Sequence, residues 1–138
     1  MSVTMPSNLP KQGDLYNPLC PSRDIAKHVG SLWGLILLST LKDGEVMRFG
    51  ELRKRIGGIS DKMLSSSLRS LERDGLLTRT HHKEDRLKVD YRLTSLGEQC
   101  VALTHPFCIF IEDNMYEIAR HQLEYDQNPT TTTWQARK

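Results

Sequence analysis

Cationic and hydroxyl side chains recur at helical spacing in residues 60–73. At roughly 100° per residue, Leu64, Leu68 and Leu71 form one narrow apolar stripe. The opposite side of this predicted helix carries Lys62, Ser65, Ser66, Arg69 and Arg73. Such side chains bind phosphates and base edges. The pattern therefore predicts a helix that buries one face and offers the other to a nucleic acid, although a solvated surface helix has the same pattern.

The residues on both sides of this stretch favour the first interpretation. Ser60 is suited to cap the helix, and Gly75 to end it. A free helix N-terminus at Ser60 would also attract a phosphate. Residues 49–56 form a short basic amphipathic helix, and Gly57-Gly58 separates the two helices. This order predicts a helix-turn-helix whose second helix enters a DNA major groove, with Arg48 and Arg53 as phosphate contacts.

A hairpin is predicted next. Residues 76–81 are one strand candidate, and residues 88–93 alternate apolar and polar positions as a second. The polar link at 82–87 would form the tip, where Lys83, Arg86 and Lys88 can straddle a DNA backbone or reach a minor groove. The predicted fold is mainly α (α+β): a winged helix-turn-helix with a two-stranded β-wing and C-terminal dimerisation helices.

The remaining segments divide the chain into four parts. Residues 1–19 are expected to be a flexible arm, 20–93 the DNA-binding domain, 94–126 the dimerisation helices and 127–138 a disordered tail. In the third part Thr94 is a helix cap, or Ser95 with Glu98 as a capping box. Leu96, Cys100 and Leu103, with Val101, are expected on its apolar side, and Pro106 is expected to cause a kink or a restart of the helix.

Composition excludes several classes of protein. The chain of 138 residues contains no apolar run of roughly 18 residues, no secretory leader pattern and only three cysteines, which predicts a cytoplasmic protein with reduced thiols. Residues 42–92 carry 13 Lys/Arg against 9 Asp/Glu, a net +4, so this part is suited to face a polyanion. No glycine-rich phosphate loop is evident, and a metal site from His105, Cys108, Cys100 or His121 is disfavoured. We expect no enzymatic activity, no cofactor and no metal.

Cys20 has two interpretations. A lone cysteine is usually a small apolar packing residue. This one precedes a predicted helix with Ser22 as its cap, where the helix dipole and nearby Arg23 would stabilise a thiolate. It is therefore also a candidate redox sensor.

Several motifs together resemble the HxlR-type winged-helix transcriptional regulators of bacteria. The resemblance is carried by Cys20-Pro21, Trp33 with the following leucines, MRFGELRKRIGGIS at 47–60, LSSSLRSLERDGLLTR at 64–79 and VDYRLTSLGE at 89–98. It implies a dimeric DNA-binding regulator, often a repressor and sometimes an activator, and several members sense electrophiles or oxidants through the cysteine matching Cys20. The chain departs from the family pattern at Leu32, at Asp61 and in the wing at 85–88, where the family usually has lysine, proline and a proline pair.

The resulting prediction is a dimeric, sequence-specific transcriptional regulator, acting as a repressor. Two copies of the 60–73 helix would enter successive major grooves of a near-palindromic double-stranded operator, roughly 34 Å apart. A thiol-reactive compound acting on Cys20 would be the effector. Two alternatives stay open: a winged-helix protein-interaction module that does not bind nucleic acid, and a regulator controlled by a small-molecule ligand.

Overall fold

A computed structural model describes residues 2–127, except for the side chains of Arg86 and Leu87. The helices and strands follow in the order α1 Ser22–Gly30, α2 Leu32–Thr40, β1 Met47–Arg48, α3 Phe49–Arg55, α4 Asp61–Arg73, β2 Leu77–His82, β3 Asp85–Leu93, α5 Ser95–Asp113 and α6 Met115–Gln127. The predicted tail at 128–138 lies outside the described residues. None of the helices within residues 2–127 is both long and apolar enough to cross a membrane.

The core is formed where α2, α3 and α4 pack on the hairpin and on the start of α5. Leucine dominates it because α2 is apolar nearly all round, whereas α3 and α4 each contribute one apolar stripe. The fully buried side chains are Leu37, Leu38, Leu41, Leu52, Leu64, Leu68, Leu71 and Leu77. This packing fixes the direction in which the opposite face of α4 points, namely away from the core.

The sheet has one strand more than the predicted two-stranded wing. Strand β3 lies between β1 and β2 and is antiparallel to both. Met47 pairs with Tyr91, and Leu77 pairs with Leu93. The wing hairpin is confirmed, and its base is widened by β1, which immediately precedes α3.

The hairpin tip is tighter than expected. The sequence predicted an irregular link at residues 82–87, but the strands continue to His82 and resume at Asp85, with the turn at Lys83-Glu84. The pairing is irregular between His81 and His82. The link prediction was wrong because polar composition suggested a loop, whereas strand pairing depends on the register with the partner strand.

Two predictions for α5 were wrong in part: no restart occurs at Pro106, and only some of the apolar side chains face the core. The helix continues through Pro106 and ends at Asn114, whose backbone N–H and side-chain Nδ2 both donate to the carbonyl oxygen of Phe110, at 3.1 and 2.8 Å. A proline removes only one intrahelical hydrogen bond, which a long helix can lose. Val101 is buried and Cys100 packs against the core, as expected, whereas Leu96 and Leu103 are exposed because α5 packs on the core through Gly97 and Val101.

The start of α5 approaches the end of α4 very closely. A Cβ atom at Gly97 would lie 1.9 Å from the carbonyl oxygen of Leu76, so only glycine fits there. Thr94 caps α5 as predicted, since its Oγ1 accepts from the N–H of Gly97 at 3.0 Å and also donates to the carbonyl of Gly75 at 2.6 Å. Glu98 does not complete a capping box: its carboxylate accepts from the backbone N–H groups of Asp43 and Gly44.

Candidate nucleic-acid interface

Helix α4 begins and ends as the sequence predicted. Ser60 Oγ accepts a hydrogen bond from the N–H of Met63 at 3.1 Å and so satisfies one free donor of the first turn. Gly75 follows the helix with φ = 77°, and the N–H of Leu76 donates to the carbonyl of Leu71. Both ends of α4 are therefore fixed by local hydrogen bonds.

The outer face of α4 carries polar side chains without protein partners. Lys62, Ser66 and Arg69 are exposed, and Ser65 is half-buried. None of these four side chains forms a hydrogen bond or ion pair with another described residue. Their donor groups are therefore free to bind an external acceptor.

The two arginines that flank this face already have carboxylate partners. Arg53 Nη1 lies 3.1 Å from Oδ1 of Asp61, the first residue of α4, and Arg48 Nε lies 3.8 Å from Oδ1 of Asp90. Both arginine side chains are about half exposed, so a phosphate can reach them in competition with the carboxylates. Their role as phosphate contacts stays a prediction.

The wing carries cations near a second network of charged groups. Lys83 is exposed at the turn and Lys88 is half-buried, whereas the side chain of Arg86 is not described. His82 Nε2 lies 2.5 Å from Oδ2 of Asp90. Contact with His82, together with the charges of Arg48 and Lys88, holds the pKa of Asp90 below its usual range.

Arg79 is a further cation beside the outer face of α4, and it was not among the residues that the sequence pattern indicated. Strand alternation places Arg79 on the same face of β2 as Leu77, and it is paired with Tyr91 across the hairpin. A small cleft between the wing and the recognition face is lined by Ser65, Leu68, Arg69, Glu72, Arg79 and Tyr91. The alternation of β2 alone could have identified Arg79 as a residue that faces α4.

Comparison with known proteins agrees with this arrangement. The family model described as HxlR-like helix-turn-helix matches residues 28–119. The chain belongs to the HxlR-like helix-turn-helix family. It is therefore a helix-turn-helix transcriptional regulator, and membership of the family implies DNA binding.

Individual relatives cover most of this HxlR-like chain. The uncharacterized HTH-type transcriptional regulator YtfH of Escherichia coli is 42% identical over 118 residues, which are 86% of this chain and 93% of YtfH. The solved structure of ytfH from Salmonella typhimurium has a TM-score of 0.74 at 38% identity, covering 80% of this chain and 98% of that one. The redox regulator HypR in its reduced form has a TM-score of 0.63 at 28% identity, covering 72% and 98%.

Cys20 lies just before α1 of this HxlR-like chain. Ser22 Oγ donates to Sγ at 3.2 Å, and the N–H of Asp14 donates at 3.4 Å. These hydrogen bonds, that of Ser22 foremost, lower the pKa of the Cys20 thiol. A lowered pKa raises the fraction of thiolate, which is the nucleophilic form of cysteine.

The expected surroundings of Cys20 were wrong in two details. Ser22 does not cap α1; the cap position is Pro21, and no side chain caps the helix. Arg23 donates to the carbonyl oxygens of Leu15 and Tyr16, at 2.9 and 3.2 Å, and therefore binds the preceding arm and not the thiol. Neutral donors thus replace the cation in stabilising the thiolate.

The other two cysteines lie on α5. Burial raises the pKa of the Cys100 thiol, which makes it a poorer nucleophile than Cys20. Cys108 is half-buried. His105 Nδ1 lies 3.1 Å from Ser39 Oγ, and no group of three potential metal ligands occurs within residues 2–127.

Proposed function

We propose that this HxlR-like protein is a homodimeric repressor that binds a near-palindromic operator and responds to oxidants through Cys20. It acts by binding and catalyses no reaction. The observation that carries the DNA-binding part is the α4 face of Lys62, Ser65, Ser66 and Arg69, whose donors have no partner among the described residues. In this proposal Arg69 and its neighbours read bases, whereas Arg48, Arg53, Ser60 and the wing cations bind phosphates.

A broad apolar surface on α5 and α6 supports the dimer. A monomeric protein rarely exposes a large contiguous apolar patch, and the burial of such a patch drives association. We refer to nine exposed apolar side chains of these two helices as the α5–α6 face: Leu103, Phe107, Ile109, Phe110, Met115, Tyr116, Ile118, Leu123 and Tyr125. A second copy of the chain is the proposed partner, because two-fold symmetry would present two copies of α4 to two half-sites.

The thiol chemistry of Cys20 supports the redox response. Its pKa is lowered by the Ser22 hydroxyl and the Asp14 amide, and thiolates are the form that oxidants and electrophiles attack. The similarity to HypR, a redox regulator, gives a second reason. The Cys20 thiolate is proposed to attack a peroxide, so that the O–O bond breaks, a sulfenic acid forms and hydroxide leaves; this change at Cys20 is proposed to alter the position of α1 and thereby to release the operator.

The DNA-binding part can be tested with a gel shift on the promoter region of the protein's own gene. Arg69→Ala is expected to weaken specific binding by about 1–3 kcal/mol, the contribution of one good base contact. Lys83→Ala is expected to reduce the salt dependence by about one phosphate contact with little loss of specificity. Lys27→Ala, an exposed cation on α1, serves as the control. If Arg69→Ala and Lys83→Ala both bind as wild type does, the proposed surface is wrong.

The redox part is tested with the same gel shift, and the repressor part with expression from the bound promoter in cells. Hydrogen peroxide treatment is expected to release the wild-type protein from DNA and to leave Cys20→Ser bound. Deletion of the gene is expected to raise expression from the bound promoter, which would fall instead if the protein were an activator. A purified dimer that binds no footprinted genomic site would favour the protein-interaction alternative.

A further inference from the structure

A cavity outside the DNA-facing surface separates α5 from α2 and the end of α3. Its volume of about 510 Å³ falls within the range of roughly 300–1,000 Å³ that is typical of small-molecule sites. Its apolar walls are formed by Leu32, Leu35, Ile36 and Ile111, with Cys108 among them. An apolar ligand body of moderate size therefore fits this cavity.

The polar groups of the cavity include one cation that is free to bind an anion. Arg55 and Lys42 both line it, whereas Glu112 is its single acidic residue. Lys42 Nζ is held by Oδ2 of Asp43 at 2.7 Å, but the Arg55 guanidinium makes no hydrogen bond or ion pair with another described residue. Ser39 adds a hydroxyl, which interacts with His105. An unpaired guanidinium beside apolar walls suits a carboxylate, which it can bind with two parallel hydrogen bonds.

We propose that this cavity binds a small organic acid, one carboxylate on an apolar chain or ring, and that its occupancy regulates DNA binding. The carboxylate binds Arg55, and the apolar body lies along α2 and α5. Asp43 and Glu45 line a neighbouring cleft that shares Arg55, so two carboxylates oppose an anion on that side of the guanidinium, whereas Glu112 is the one carboxylate on the α5 side.

The position of Arg55 connects the cavity to the recognition helix. Arg55 is the last residue of α3, and Ser60, the cap of α4, follows five positions later. Ile56 and Ile59 in this connection are buried, so it cannot move independently of the core. A ligand that draws Arg55 towards α5 therefore acts on the segment that sets the start of α4. This regulatory part rests on the proposed DNA-binding function.

Calorimetric titration of the purified protein with octanoate and with 3-phenylpropanoate tests the site directly. One molecule is expected to bind per protomer, and octylamine, of the same length but opposite charge, should bind at least about tenfold more weakly. Arg55→Gln should weaken acid binding at least about fivefold, because the bidentate contact is lost. Lys54→Gln makes the same change of charge on the neighbouring residue and should leave acid binding unchanged. Absence of binding by both acids, equal binding of octylamine, or equal affinities of Arg55→Gln and Lys54→Gln would overturn the proposal.

A gel shift with and without the bound acid tests whether occupancy of the cavity changes DNA binding, independently of whether the acid binds. Octanoate is expected to change operator affinity of the wild type by at least about threefold and to have no effect on Arg55→Gln. Saturating acid that leaves operator affinity unchanged would overturn the regulatory part alone. If the protein binds octanoate but no DNA, the cavity proposal stands and the proposed function fails.

Discussion

His28 Nδ1 lies 2.7 Å from Oδ2 of Asp74, although 46 positions separate the two residues in the sequence. His28 is in the last turn of α1, and Asp74 is the C-cap residue of α4. Only 8% of the Asp74 side chain is exposed, so this contact is largely protected from water. It is a direct link between the helix that follows Cys20 and the end of the recognition helix.

Removing this link should destabilise the fold. His28→Ala leaves a nearly buried carboxylate without its partner and is expected to lower the free energy of unfolding by about 1–2 kcal/mol. Urea unfolding measures the change, and Lys27→Ala should stay within about 0.5 kcal/mol of wild type. In a double-mutant cycle with Asp74→Asn, strictly additive losses would contradict a direct interaction.

Ser22 should control the reactivity of Cys20. Loss of its hydroxyl in Ser22→Ala removes the largest cause of the lowered thiol pKa, so the pKa rises and less thiolate is present at neutral pH. The rate of iodoacetamide alkylation, measured against pH in a Cys100→Ser/Cys108→Ser background, is expected to shift to higher pH. Ser7→Ala is the matched control. Superimposable profiles for Ser22→Ala and the parent would exclude this role of the hydroxyl.

Asp90 should make the wing sensitive to acid. Its folded-state pKa lies below the value of about 3.9 expected for an unfolded chain, so ionised Asp90 stabilises the protein above that pH. This contribution is lost as the pH falls through the folded-state pKa. Asp90→Asn is therefore expected to have a lower Tm than wild type at neutral pH, and the difference should shrink below about pH 4. Glu84→Gln at the turn should show no such trend, and a Tm difference independent of pH would contradict the assignment.

The α5–α6 face should determine the oligomeric state. Leu103 is 79% exposed and Phe110 is 58% exposed, so replacing them with glutamate leaves the protomer core intact. If the two positions are buried in a dimer interface, the glutamate carboxylates lose their hydration and strongly disfavour association. Sedimentation velocity is expected to show a dimer for wild type and for Val46→Glu, and a monomer for Leu103→Glu/Phe110→Glu. A dimeric double variant would require an interface elsewhere.

The sequence predicted those parts of the fold that depend on local patterns. The helical spacing of its leucines identified α4, and Ser60 and Gly75 identified its two ends. Both signals act within one or two turns of helix. The burial of Gly97 and the exposure of Leu96 and Leu103 could not be predicted in this way, since they depend on the close contact between Gly97 and Leu76. Of the site, the cations of α4 were visible from spacing, whereas the Asp61 and Asp90 partners of Arg53 and Arg48 depend on tertiary packing.

The close contact at Gly97 also bears on operator choice. Because Thr94 and Gly97 attach α5 to the backbone at Gly75 and Leu76, α4 and the start of α5 can move only together. A dimer assembled through α5 would then hold its two copies of α4 at one separation and one relative rotation. Each base pair inserted between half-sites turns one of them by about a tenth of a helical turn. Such a dimer would tolerate changes of half-site sequence better than changes of spacer length, and binding to operators with one added or removed central base pair would measure that difference.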